Sequence, residues 1–168
     1  MLKLRKNKKG FTLVELIVVI AIMAVLAGVV AGVTVSQLNK QTDKTGQTQA
    51  NTIAQFLSQC ILTGETTGVD KITTETTNPT TNETTTAFVT IDQLKIVLDK
   101  QYSSASIPVD QTGGRGKIAV TFVPDSESVT GTDAQHKGSI KIYYQGKQSG
   151  TTGNATYYVA IDGSITKG

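Results

Sequence analysis

The sequence has no tryptophan, one cysteine (Cys60), one histidine (His136) and only three prolines. A lone cysteine excludes an intramolecular disulfide, and with one histidine it leaves no partners to complete a cysteine/histidine metal centre. Cys60 itself falls on the apolar face of a helical pattern, where a free thiol behaves as a small buried hydrophobe. Charged residues are sparse, at 17% of 168 residues, while threonine, serine, glycine and glutamine are abundant. That composition describes an exported, polar-surfaced domain, and the length allows one ordinary domain plus an appendage.

Positive charge is also scarce once the amino end is set aside. Lys3, Arg5, Lys6, Lys8 and Lys9 are five of the sixteen cations, and the first ten residues contain no acid. The other eleven cations face thirteen acids, a balance of −2. The net charge of +3 therefore belongs to the leader and gives no reason to expect nucleic-acid binding by the remainder.

Catalytic equipment is missing too. No nucleophile, base and acid can be assembled into a set, so neither an enzyme nor a cofactor is expected. The run Gly113-Gly-Arg-Gly-Lys117 has Gln111 where a phosphate-binding loop needs glycine and Ile118 where it needs serine or threonine, so it reads as a turn before a strand. Asp125, Glu127 and Asp133 depart from the spacing of a calcium loop, and His136, in the same polar stretch, is expected to be solvated.

What is present is concentrated in residues 8–35. After the cations come Gly10 and Phe11, then an apolar run broken near its start by one carboxylate, Glu15. From Leu16 to Val33 no side chain is polar, close to the ~20 residues that cross a bilayer core of ~30 Å. Cations ahead of such a segment keep the amino end cytosolic and send the carboxyl end out. The run is too long for a secretory signal and has no small-residue cleavage site in a short polar stretch after it, so a retained helix is expected. Gly28-Val-Val-Ala-Gly32 has the spacing that lets apolar helices approach closely.

The helical pattern continues past the apolar run. Ile53, Phe56, Leu57, Cys60 and Ile61 make one amphipathic face, and Gly64 is a stop signal. A helix over 12–63 is expected, with Gly28, Gly32 and Gly46 as the places for bending or local melting. Residues 63–90 are dominated by threonine and read as an exposed connecting loop with room for a short strand or turn. Asn82-Glu-Thr84 and Asn154-Ala-Thr156 match the N-glycosylation acceptor pattern. Thr90 and Gln93 form a capping box that opens a short helix with Ile91, Leu94, Val97 and Leu98, and Pro108 marks the exit into extended chain.

From Lys117 the period changes to two. Ile118, Val120 and Phe122, then Ile140, Ile142 and Tyr144, then Tyr157, Val159 and Ile161 line one apolar face. Three such segments describe an antiparallel sheet packed on one side, with the Ile53 to Ile61 face as its natural cover. Asp162-Gly163 is suited to join a last short strand over Ser164 to Thr166. The expected fold class is α+β.

The run Lys8-Lys-Gly-Phe-Thr-Leu-Val-Glu-Leu16 resembles the leader and cleavage motif of type IV prepilins and pseudopilins: a basic leader ending in glycine, then phenylalanine, then glutamate four residues later. The resemblance is close over about the first 35 residues; beyond them only the order of long helix, loop and sheet is similar to the pilin fold. It implies a cleaved leader 1–10, a long helix 11–63 and a globular domain 64–168. It implies cleavage between Gly10 and Phe11 by a prepilin peptidase, methylation of the new Phe11 amine, and assembly through Glu15 pairing with the Phe11 amine of a neighbour. Expected partners are further copies of the chain and other pilins, the peptidase, membrane lipid before assembly, and indirectly an assembly platform with its ATPase. The chain would be a single-pass protein of the cytoplasmic membrane and then part of a surface filament.

A bare carboxylate in hydrocarbon is costly and takes a proton or finds a cation; cleavage at Gly10 makes such a cation. Glu15 resting at the headgroup interface accounts for the membrane stage, but not for glycine, phenylalanine and glutamate occurring together. Two departures from the family stand out: no proline interrupts the first helix, and no disulfide closes the carboxyl-terminal loop. The latter, with the lysine-rich leader, is more similar to pilins of Gram-positive bacteria. The alternatives are a pseudopilin of a secretion or DNA-uptake system and, in another class, a membrane-anchored binding domain that never polymerises.

Overall fold

The computed structural model describes residues 10–63, 72–102, 109–110, 113–147 and 150–168. Contacts divide the chain into two units, Met1–Leu38 and Asn39–Gly168. The leader cations Lys3, Arg5, Lys6, Lys8 and Lys9, as well as Gly64 and Pro108, lie outside the described residues.

Among the described residues of the first unit the one regular element is the start of helix α1, Leu13–Thr63. Every large apolar side chain from Phe11 to Leu38 is exposed, none less than 48%. By length and composition α1 is apolar enough at this end to cross a membrane. The helix is unbroken through Gly28, Gly32 and Gly46, so none of the three melts it here.

The second unit is built on the carboxyl-terminal part of α1. The expected face is buried at Ile53, Leu57 and Cys60, with Phe56 and Ile61 partly covered. The buried face also begins earlier than the apolar pattern, at Asp43, Gly46 and Ala50. Helix α2, Ile91–Tyr102, opens on the anticipated box: the Gln93 Oε1 accepts from the Thr90 amide at 3.2 Å, and the Thr90 hydroxyl accepts from the Gln93 amide at 3.5 Å. Its Leu94, Val97 and Leu98 join the same core.

Strands β4 (Ile118–Phe122), β5 (Ile140–Tyr144), β6 (Ala155–Val159) and β7 (Ile165–Lys167) form an antiparallel meander in sequence order. Ile118 lies opposite Tyr144, Val120 opposite Ile142, and Ile140 opposite Val159, so the period-two residues share one face. Two-residue strand β3 (Val109–Asp110) adds a parallel pair at the β4 edge, which the alternation did not announce. The architecture is α+β, a long amino-terminal helix with carboxyl-terminal sheets, consistent with the pilin fold.

Four expectations need correction. The threonine-rich stretch is more than a loop: β1 (Thr73–Thr77) and β2 (Thr84–Phe88) pair as a hairpin, held at its base by the Val89 amide donating to the Ile72 carbonyl at 2.9 Å. Ile161 lies beyond the end of β6, in the turn. Gly46 is a packing position, since an added Cβ would stand 2.2 Å from the Tyr144 ring. Finally, the sheet is covered on both faces near Tyr158, which is 2% exposed although it points away from the α1 side of the pleat. There a 3-10 helix, Gly131–His136, lays the His136 ring on Tyr158 with centroids 3.9 Å apart, so His136 is stacked and half-buried.

Candidate processing and assembly segment

Residues 10–12 are irregular and lead directly into α1. Phe11 is 91% exposed, and nothing lies within 4 Å of a Cβ built on Gly10, so the Gly10–Phe11 peptide bond stands clear of the other described residues. Thr12 occupies the cap position. Its amide and its hydroxyl both donate to Glu15 Oε2, at 2.8 and 2.9 Å, and its hydroxyl accepts from the Glu15 amide at 3.3 Å. This is a second capping box, with the carboxylate set in the first turn where the helix dipole favours negative charge.

Glu15 is therefore already engaged within its own chain. Thr12 was not singled out from the sequence, although Thr-x-x-Glu is the same signal that marked Thr90 and Gln93. The family motif drew attention to glycine, phenylalanine and glutamate, and the local cap between them went unread. Gly28 and Gly32 have no neighbour within 4 Å of an added Cβ, so in this chain their small surface is uncovered.

Elsewhere the polar groups are used structurally. Among the described residues no three histidines, cysteines or acids gather as metal ligands. Asp133 is instead held by Lys141 Nζ at 2.7 and 2.8 Å and by the Tyr158 hydroxyl at 2.5 Å. Partial burial opposes ionisation of Asp133, but the hydrogen bonds from Lys141 and Tyr158, with the nearby charges of Lys141 and His136, outweigh it and keep the carboxyl below its ordinary range. Burial, then the Asp133 contact, raises Tyr158. Burial pushes the Cys60 thiol up to about 11, as befits a packed and unreactive cysteine. Of the two acceptor tripeptides, Asn154 is committed, its Oδ1 accepting from the Gly146 amide at 2.8 Å, while Asn82 is exposed in the β1–β2 turn with φ 56°.

No curated protein and no solved structure matches this chain. Residues 5–31 match the family model described as the prokaryotic N-terminal methylation motif. The matched span takes in Gly10, Phe11, Thr12 and Glu15 together with most of the apolar run. At its amino end, then, the chain carries the class III signal of a precursor consistent with the type IV pilin and pseudopilin family.

Proposed function

We propose that this chain is the structural subunit of an extracellular type IV pilus. The observation that carries the reading is the apolar surface of residues 13–35, exposed all round behind a methylation motif. A helix apolar on every side needs either lipid or other such helices around it. Prepilin peptidase removes residues 1–10 at the Gly10–Phe11 bond, and the Phe11 amine so released is methylated. The mature chain then consists of helix 11–63 and globular domain 64–168.

On extraction from the bilayer the helices pack side by side, with Gly28 and Gly32 admitting close approach. In that arrangement the Phe11 amine of one subunit meets Glu15 of another. The carboxylate has two acceptor oxygens, and the Thr12 contacts use Oε2, so Oε1 remains available to a cation from a neighbour. Glu15→Ala is expected to abolish surface filaments in electron micrographs while the protein persists in the membrane fraction. Filaments of normal number and length from that variant would overturn the reading. Long labelled filaments outside the cell, against short envelope-spanning ones, separate the pilus from a pseudopilus.

A further inference from the structure

The face of the carboxyl-terminal sheet turned away from α1 is only partly covered. Along the β5–β6 ladder Lys141 lies opposite Tyr158 and Tyr143 opposite Thr156, and the alternation of the strands puts all four side chains on this face. The 3-10 helix covers one pair of them: Asp133 accepts from Lys141 Nζ and from the Tyr158 hydroxyl, and the His136 ring stacks on Tyr158. The other pair, Tyr143 and Thr156, is left half-buried. Between this pair and the exposed residues Thr130 and Thr132, where the 3-10 helix begins, lies a cavity of about 290 Å³.

The charged side chains that line the cavity, Asp133 and Lys141, are joined to each other at 2.7 and 2.8 Å, so together they present a neutral pair. The open groups are neutral as well. The hydroxyls of Thr130, Thr132, Tyr143 and Thr156 line the cavity, and none is hydrogen-bonded to another described residue. Each can donate one hydrogen bond and accept others, and the third N–H of the Lys141 ammonium adds a further donor. A ligand that answers four hydroxyls without carrying charge must itself donate and accept at several points around a compact frame. That is the chemistry of a sugar ring.

We propose that this cavity binds one neutral pyranose unit of a saccharide. The hydroxyls of Thr132, Tyr143 and Thr156 bond the sugar hydroxyls, and the electron-rich face of the Tyr143 ring takes the C–H side of the sugar. The volume stands at the lower bound of the roughly 300–1,000 Å³ usual for small-molecule pockets, which gives room for one ring and not for an extended chain. Asp133 and Lys141 are positioning residues, since their ion pair ties the start of the 3-10 helix to β5 and so fixes the distance between the two walls. The site lies wholly within the unit Asn39–Gly168, and the inference does not depend on assembly into a filament.

The test uses the full chain in dodecylphosphocholine micelles, which carry no sugar, titrated with methyl glucoside, methyl galactoside and methyl N-acetylglucosaminide and followed by backbone amide shifts. At least one of the three is expected to shift the amides of Thr132, Tyr143 and Thr156 saturably while leaving those of Ile53 and Leu57 in place. Tyr143→Phe and Thr156→Val each remove a hydroxyl and keep the shape of the wall. Each is expected to weaken that binding about five- to tenfold, with the melting temperature of the chain unchanged. Absence of saturable shifts at these amides with all three glycosides would overturn the proposal. So would undiminished binding by both variants, which would place the sugar elsewhere. Equal shifts at the same amides with sodium phosphate or acetate would assign the cavity to an anion and overturn the neutral ligand.

Discussion

The hydroxyl of Tyr144, on β5, donates to the carboxylate of Asp43, on α1, at 3.0 Å. The same Oδ1 accepts the Lys147 amide, while Oδ2 is buried without a hydrogen-bond partner and lies where a Cβ on Gly153 would fall, 2.5 Å away. One polar side chain thus fixes the helix against the end of the sheet, and its second oxygen requires glycine at 153. Asp43→Ala leaves the Lys147 amide without this acceptor and the Tyr144 hydroxyl with only the Thr42 carbonyl at 3.4 Å, and is expected to cost about 1–3 kcal/mol. The loss should be non-additive with Tyr144→Phe, because the two changes break the same contact. Denaturant titration of the two single variants and the double variant measures this; simple addition of the two losses would show that the contact is not shared.

Gly46 sits against the Tyr144 ring. Replacing glycine by alanine inside a helix ordinarily stabilises it by about 1 kcal/mol. Here the new methyl would meet ring carbons at 2.2 Å, and overpacking of this kind costs about 1–3 kcal/mol. Gly46→Ala is therefore expected to lower the melting temperature, whereas Gly28→Ala, with open space around it, should not lower it. A rise in melting temperature for Gly46→Ala would contradict the packing account.

Thr12 holds Glu15 through two donors and caps α1. Thr12→Val keeps the size and removes the hydroxyl, so the Glu15 amide loses its acceptor. Faster amide exchange is expected at Glu15 in micelle-bound protein, with no change in the carboxyl-terminal unit. Unchanged exchange at Glu15 would mean that the cap contributes nothing to the first turn.

Asp133 has its carboxyl held below the ordinary range in the folded chain by Lys141 and Tyr158, against the opposing effect of partial burial. The unfolded chain therefore takes up the proton first as the pH falls. The contribution of Asp133 is full above the unfolded value near about 4 and is lost as the pH drops through the lower folded value. Asp133→Asn is expected to flatten stability against pH in that acid window, as followed by thermal melts. An unaltered acid limb would place the dependence on other carboxylates.

Local patterns were legible in the residues. Glycine, phenylalanine and glutamate at fixed spacing, an apolar run long enough for a bilayer, a capping box at Thr90, and alternation over β4, β5 and β6 each depend on neighbours a few positions apart. The Thr12 box was equally local and was readable by the same rule.

The sequence by itself determined the amino-terminal signal, the helix and most of the sheet, because helix and strand periods are set by backbone geometry and need no distant partner. Only the tertiary structure decided the rest. Asp43 becomes a buried clamp because Tyr144 and Lys147 arrive about a hundred residues later in the chain. Gly46 becomes essential to packing because an aromatic ring lands on it. Tyr158 is covered by His136, and Lys147 lies over Gly116, through contacts that no short window of sequence contains. Charge and burial at these positions depend on which distant segments meet, and folding of the whole unit sets that.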